Sequence, residues 1–321
     1  MATLLVIGGS GFFGKSILDM FQRGKLKRWN IDKVIAMSRN ATRLKIETPE
    51  LVQGNVDLLE LDITTTNSLP EADYIIHAAA SADAKNYLTA GEKERKNILA
   101  GTLNYCRLAK KYKNIKTLYV SSGAVYGTQP PKINYIEESY QFRDPNDIPE
   151  RKRDYAAAKR DAEELIKEMG CEGFSVSIAR CFAFVGPWLP LNQHFAIGNF
   201  IRDGLLSEFI EVNASQSVYR SYMYADDLVE WLLEIVDHSS NSCPIYNVGS
   251  DQSILIDELA KKIGIYFRKD VKFNYLREAH EDRYVPSVKK AKNELNLQIK
   301  INLDEAISET VELLKRSKKH V

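Results

Sequence analysis

The chain has 321 residues, 44% of them hydrophobic, so it can bury a large core with a smaller lobe beside it. Its formal net charge of +1 gives no electrostatic argument for nucleic acid or an acidic membrane as a partner. Cys106, Cys171, Cys181 and Cys243 show no C-x-x-C spacing, and His77, His194, His238, His280 and His320 are dispersed, so free thiols and no metal site are expected. No signal peptide and no apolar run of membrane-spanning length is present, which makes the cytoplasm the expected location.

The first predicted element is a buried parallel strand over residues 3–7, T-L-L-V-I. The turn Gly8-Gly9-Ser10-Gly11-Phe12-Phe13-Gly14 follows, then an amphipathic helix over Lys15–Arg23. Strand, glycine turn and helix is the context of a dinucleotide cradle. Glycines admit a tight turn and close approach of the pyrophosphate, and the helix N-terminus offers N–H groups and a positive dipole end. The spacing is G-x-x-G-x-x-G; the other reading is an ordinary glycine-rich loop. A second strand, 33–37, ends on Ser38-Arg39-Asn40. An acid there would hold the ribose 2′-hydroxyl of NAD, and none is present. Ser38 and Arg39 suit a 2′-phosphate instead, so NADP is the expected cofactor, with NAD the other possibility. Outside that role Arg39 is a solvated loop residue.

Further strands are predicted over 58–62, 74–78, 116–121 and 174–179, alternating with helices, which implies a doubly wound α/β domain with a parallel sheet. The strand Leu118-Tyr119-Val120 runs into Ser121-Ser122-Gly123-Ala124-Val125-Tyr126-Gly127. A serine at the C-terminal end of a parallel strand is placed for a site, and Ser122 is preferred over Ser121. Glu137 to Asp154 is a charged stretch, either a lid or a solvated loop. Tyr155 and Lys159 then lie one helical turn apart in a segment of strong helix formers. An ammonium beside a phenol favours the phenolate, which turns a weak acid near pKa 10 into a proton-transfer group. Alone, Y-x-x-x-K is as well read as a surface pair. The basic cluster Lys25 to Arg28 and the tail Lys315 to His320 read as solvated faces.

Taken together, V-I-G-G-S-G-F-F-G (6–14), L-D-I-T (61–64), H-A-A-A (77–80), V-S-S-G-A-V-Y-G (120–127), Y-A-A-A-K (155–159), A-R-C-F-A-F-V-G-P (179–187), R-S-Y-M-Y-A-D-D (220–227) and Y-N-V-G-S (246–250) resemble the extended short-chain dehydrogenase/reductase family. The likeness is to its nucleotide-sugar epimerase/dehydratase/reductase branch. It implies a Rossmann domain of residues 1–180 plus about 221–249, and a smaller α/β substrate lobe of about 181–220 and 250–321. It implies Tyr155 as acid/base, Lys159 as its partner, both of them also cofactor-binding with Lys159 reaching the ribose, and Ser122 on the sugar oxygen. Gly8, Gly11, Phe12, Phe13 and Gly14 would line the pyrophosphate. Asp62 and Ile63 would sit by adenine, and Ala78, Ala79 and Ala80 along the cofactor. Arg220 and Arg283 match arginines that hold a substrate diphosphate, and are otherwise surface ion pairs. The helices around Asn97–Lys111 and Tyr155–Met169 pair across a homodimer in relatives.

Two departures bear on the reaction. Dehydratases of the family carry an Asp-Glu pair where this chain has Gly123 and Ala124, and elimination needs such carboxyls. Ala183 stands where many relatives carry an asparagine near the diphosphate. The expectation is an NADP-dependent reductase of a 4-keto (deoxy) sugar nucleotide. The alternative is a 4-epimerase, since 125–137 resembles UDP-galactose 4-epimerases. A third reading is a non-catalytic NADP-binding sensor.

Overall fold

The computed structural model describes residues 1–80, 84–112, 114–142, 148, 150–193, 195–214, 216–274 and 278–316. In chain order the elements are β1 (Ala2–Ile7), α1 (Phe12–Gln22), β2 (Ile31–Ser38), a short α2 (Leu44–Glu47), β3 (Val56–Glu60), β4 (Tyr74–His77), α3 (Ala84–Ala109), β5 (Lys116–Ser122), α4 (Glu150–Cys171) and β6 (Ser175–Cys181). Then come β7 (Phe184–Val185), α5 (Ala196–Leu206), β8 (Ile210–Val212), β9 (Gln216–Arg220), β10 (Met223–Tyr224), α6 (Ala225–Asp237) and β11 (Ile245–Val248). The last are β12 (Ile254–Leu255), α7 (Ile256–Phe267), β13 (Val271–Phe273), β14 (Glu278–Tyr284), α8 (Lys289–Leu295) and α9 (Leu303–Arg316). Among the described residues no helix is long and apolar enough to cross a membrane.

Two compact units emerge. The first holds Met1–Gly127, Asp144–Cys181 and Val229–Tyr246; the second holds Thr128–Arg143, Phe182–Leu228 and Asn247–Val321. The first is built on a seven-stranded sheet of order β11-β6-β5-β4-β1-β2-β3, in which the pairings among β1 to β6 are parallel. β1 is the strand from which the order runs both ways. Its Leu4 and Leu5 are fully buried, as expected of an apolar run covered on both faces. The reversal lies between β1 and β4, so the C-terminal ends of those strands open a crevice of the kind in which doubly wound folds bind ligands.

Three features depart from the sequence expectation. β3 stops at Glu60 and does not run to residue 62, because Asp62 Oδ1 accepts both the N–H and the hydroxyl of Thr64 at 2.8 Å and closes a turn. Thr128–Arg143 belongs to the second unit. Val285 N donates to Gln129 Oε1 at 2.9 Å, and Asn247 Nδ2 donates to Ile136 O at 2.9 Å and Ser287 O at 3.1 Å. The unit boundary also falls inside α6, after Leu228, since Asp227 Oδ2 accepts the N–H groups of Lys300 and Ile301, each at 3.0 Å. Of the charged stretch 137–154, residues 143–147 and 149 lie outside the described residues, as do His194 and tail residues 317–321.

In the second unit β9 lies between β12 and β14, β7 pairs with β10 and β8 with β13. α5 and α7 pack together, and Phe267 lies so close to Gly204 that a Cβ there would sit 2.2 Å from its ring.

Candidate active site

The glycine turn is set by packing at three of its four glycines. Gly8 has φ +98°, and a Cβ on it would lie 2.8 Å from the Ala78 backbone. One on Gly9 would lie 2.7 Å from Ala36 Cβ, and one on Gly14 2.3 Å from Gly9 O. Gly11 differs. Its added Cβ would meet only Gly8 O, at an ordinary 3.4 Å. Nothing in the protein demands a glycine there, yet a bulky group approaching the backbone would. Gly11 is also the N-cap of α1, which has no side-chain cap and no acid in its first turn. An uncapped helix start with a bare backbone fits a pyrophosphate. Phe12 and Phe13 stack edge to face just after it, with centroids 5.7 Å apart.

Ser38 is the last residue of β2; its Oγ is buried without a hydrogen-bond partner, while Arg39 is exposed. The strand register sets Glu60 beside Ser38. Its carboxylate is spent on Thr42, accepting that residue's N–H at 3.2 Å and its hydroxyl. On the neighbouring edge Asp62 is committed to Thr64, and Ile63 is buried, with its carbonyl held by Asn104 at 2.8 Å. Ala78, Ala79 and Ala80 follow directly on β4, where Ala78 N donates to Ile7 O at 2.8 Å.

The candidate proton-transfer group lies where β5 ends against α4. Ser122 closes β5, and its Oγ accepts the Ala124 N–H at 3.2 Å, capping the single 3-10 turn Gly123–Tyr126. That turn carries no carboxylate. Ser121 is engaged elsewhere, since its hydroxyl donates to Glu163 at 2.6 Å. On α4, Tyr155, Lys159 and Glu163 recur at four-residue intervals and share one face. Lys159 is buried, and its Nζ donates to Val120 O at 2.8 Å and to Tyr119 Oη at 3.2 Å. The ammonium lies 5.9 Å from the Tyr155 ring centroid and 4.7 Å from that of Tyr119. Burial pulls its pKa down to about 8, against the opposing pull of Cys181, Glu94 and Glu163. His77 is held neutral, its pKa brought down to about 3 by burial first and then by the Lys159 ammonium. It stacks edge-on against Tyr105 and Tyr119.

Three residues of this site were not singled out from the sequence. Arg180 on β6 grips Glu163 at 2.7 Å and Tyr126 Oη at 3.0 Å, which ties β6, α4 and the turn after Ser122 into one buried network. Glu163 carried a signal, the same four-residue step that links Tyr155 to Lys159. Tyr119 carried none beyond its place in an apolar strand.

In the second unit, β9 and β14 bring the two expected arginines to adjacent rungs, Arg283 opposite Tyr219 and Arg220 opposite Tyr284. Arg283 lies over the Tyr219 ring at 4.1 Å, and its Nε is buried without a hydrogen-bond partner. Arg220 donates to Asp282 Oδ2 at 2.7 Å and to the carbonyls of Tyr219 and Asp282.

A nucleotide crevice at a strand-order reversal, with a phenol and a buried ammonium on one helix face, is the layout of an NAD-binding enzyme. The model of the NAD dependent epimerase/dehydratase family matches residues 4–249, and the chain belongs to that family. It is 29% identical over 321 residues to UDP-glucuronic acid decarboxylase 1 of Xenopus tropicalis, covering 99% of this chain and 73% of that protein. UDP-glucuronic acid decarboxylase 6 of Arabidopsis thaliana is 29% identical over 308 residues, covering 95% and 86%. Among solved structures, the dTDP-glucose 4,6-dehydratase DesIV from Streptomyces venezuelae, with NAD and TYD bound, is similar with a TM-score of 0.82 at 20% identity, over 98% of both chains. The UDP-glucose 4-epimerase of Thermotoga maritima, with UDP-glucose, has a TM-score of 0.78 at 20% identity, over 98% of this chain and 99% of that one. At these identities the structural likeness is one of fold.

Proposed function

We propose that the protein is an NADP-dependent reductase of a 4-keto (deoxy) sugar nucleotide, working in the cytoplasm as a homodimer. The first unit takes the cofactor and the second the nucleotide part of the substrate. The observation that carries the redox reading is the Lys159 ammonium buried beside Tyr155, next to a Gly123–Ala124 turn that bears no carboxylate. Such a site moves a proton at a carbinol or carbonyl oxygen and has no second acid there for elimination. The orphaned Ser38 hydroxyl beside exposed Arg39 supports NADP, because the carboxylate nearest in register is occupied by Thr42.

In this proposal the Gly11 backbone and the start of α1 receive the pyrophosphate, and Ser38 and Arg39 hold the 2′-phosphate. The bound cofactor supplies the hydride. Tyr155 gives its phenolic proton to the carbonyl oxygen, Ser122 donates a hydrogen bond to that oxygen, and Lys159 stabilises the phenolate left behind and holds the cofactor ribose. Arg220 and Arg283 bind the diphosphate. A 4-epimerase is the second reading, favoured by the likeness of 125–137 to UDP-galactose 4-epimerases. A non-catalytic NADP-binding sensor is the third.

Incubation with NADPH and a 4-keto-6-deoxy sugar nucleotide, followed by nicotinamide absorbance and by chromatography of the sugar, separates these. A reductase consumes NADPH in proportion to product, and Tyr155→Phe abolishes that turnover with the fold kept. Sugar inversion without net NADPH loss identifies an epimerase. Carbon dioxide from a uronic-acid sugar nucleotide places the chain with its decarboxylase relatives. Tight NADPH binding with no turnover on a broad panel supports the sensor.

A further inference from the structure

Lys159 is held by more than burial. Two of the three protons of its ammonium are already assigned, one to Val120 O at 2.8 Å and one to Tyr119 Oη at 3.2 Å. Tyr119 Oη thus turns a lone pair to Lys159. Tyr119 is buried and fixed in place by the edge-on His77 ring.

We propose that Tyr119 is a positioning residue that clamps Lys159 so that its third proton is the one that titrates and the one presented to the bound cofactor. A neutral amine has two N–H groups, which Val120 O and Tyr119 Oη already satisfy. Loss of the third proton thus costs the framework no hydrogen bond and removes only the working charge. The groups facing Lys159 are Tyr155 and Glu163 on α4, Glu94 on α3, Cys181 on β6, His77 on β4 and Tyr119 on β5. The His77 ring stays neutral across the working pH range, and burial keeps the Cys181 thiol protonated. Neither masks the ammonium's titration. The inference rests on the proposed placement of Lys159 at the cofactor.

The test is NADPH binding by nicotinamide fluorescence, from about pH 6 to about pH 10, with melting curves alongside. Affinity of the unaltered protein should fall as pH rises through about 8, where the ammonium is lost. Tyr119→Phe keeps the ring and removes the acceptor. Because a hydrogen bond to a charged group favours the charged form, the midpoint should move to lower pH by about one unit. Tyr119→Met, which also lacks the acceptor, should move it the same way, and it serves if Tyr119→Phe fails to fold. A midpoint unmoved in the folded variants overturns the clamp while leaving Lys159 at the cofactor. Wild-type affinity and pH dependence in Lys159→Ala instead overturns that placement, and the clamp with it.

Discussion

Each unit of the molecule contains an arginine–carboxylate pair at 2.7 Å, and the two pairs mean opposite things. In the first unit Arg180 and Glu163 have side chains 3% and 0% exposed. In the second, Arg220 and Asp282 have side chains 20% and 25% exposed. Removing two charges from water is costly, and a buried pair repays that cost only while both partners remain. A half-exposed pair is screened and contributes little to stability, so its arginine can exchange one anion for another. Distance alone does not separate the two pairs; burial does.

The comparison is broken most directly at Glu163. Glu163→Leu leaves a buried guanidinium unpaired and should cost about 3–5 kcal/mol of stability, read from denaturant unfolding. A mild effect would mean that water reaches Arg180 and that the two pairs are alike. The glycine turn repeats the contrast between packed and open positions. Gly14→Ala drives a Cβ to 2.3 Å from Gly9 O and should cost about 1–3 kcal/mol. Gly11→Ala should leave unfolding almost unchanged yet weaken cofactor binding, which calorimetry with NADPH would show. Arg39→Ala, at an exposed position, should alter only cofactor choice. The proposed NADP preference, about ten- to hundredfold from a charge-assisted contact, should vanish in paired titrations with NAD and NADP. Equal binding of both by the unaltered protein would remove the basis of that preference. The smallest stability change belongs to Asp282→Asn, within about 1 kcal/mol, while a nucleoside diphosphate should bind more tightly because Arg220 is released. Weaker binding would show that Asp282 aims Arg220 and does not compete for it.

What could be read from the residues tracks how local each feature is. The turn at Gly8–Gly14, the strand-end Ser122 and the Tyr155–Lys159 step are short-range patterns, and the structure puts them at a strand-order reversal and on one helix face. That the Ser121 hydroxyl is engaged cannot be read locally, because its partner, Glu163, sits 42 residues away. Tyr119 reads as one more apolar strand residue, because only the approach of α4 gives its hydroxyl Lys159 as a partner. The early end of β3 follows from an aspartate that prefers a turn to a ladder. The place of Thr128–Arg143 was not legible, since the side chains that hold it, Asn247 and the residues around Val285, lie more than a hundred positions away.

The first unit is assembled from three separate stretches of chain, and this sets an order on its birth. A ribosome delivers its glycine turn, its phenol and its ammonium long before α6 and β11, which arrive only after Phe182–Leu228 of the other unit has been made. Until then β6 stands as an unpaired edge with Val176 and Ile178 ready to recruit a stranger's strand, and the buried place of Trp231 is unfilled. A chain stopped between residues 182 and 244 would therefore carry Ser122, Tyr155 and Lys159 and still lack the strand that closes its sheet, so loss by aggregation is the expected fate of such truncated forms.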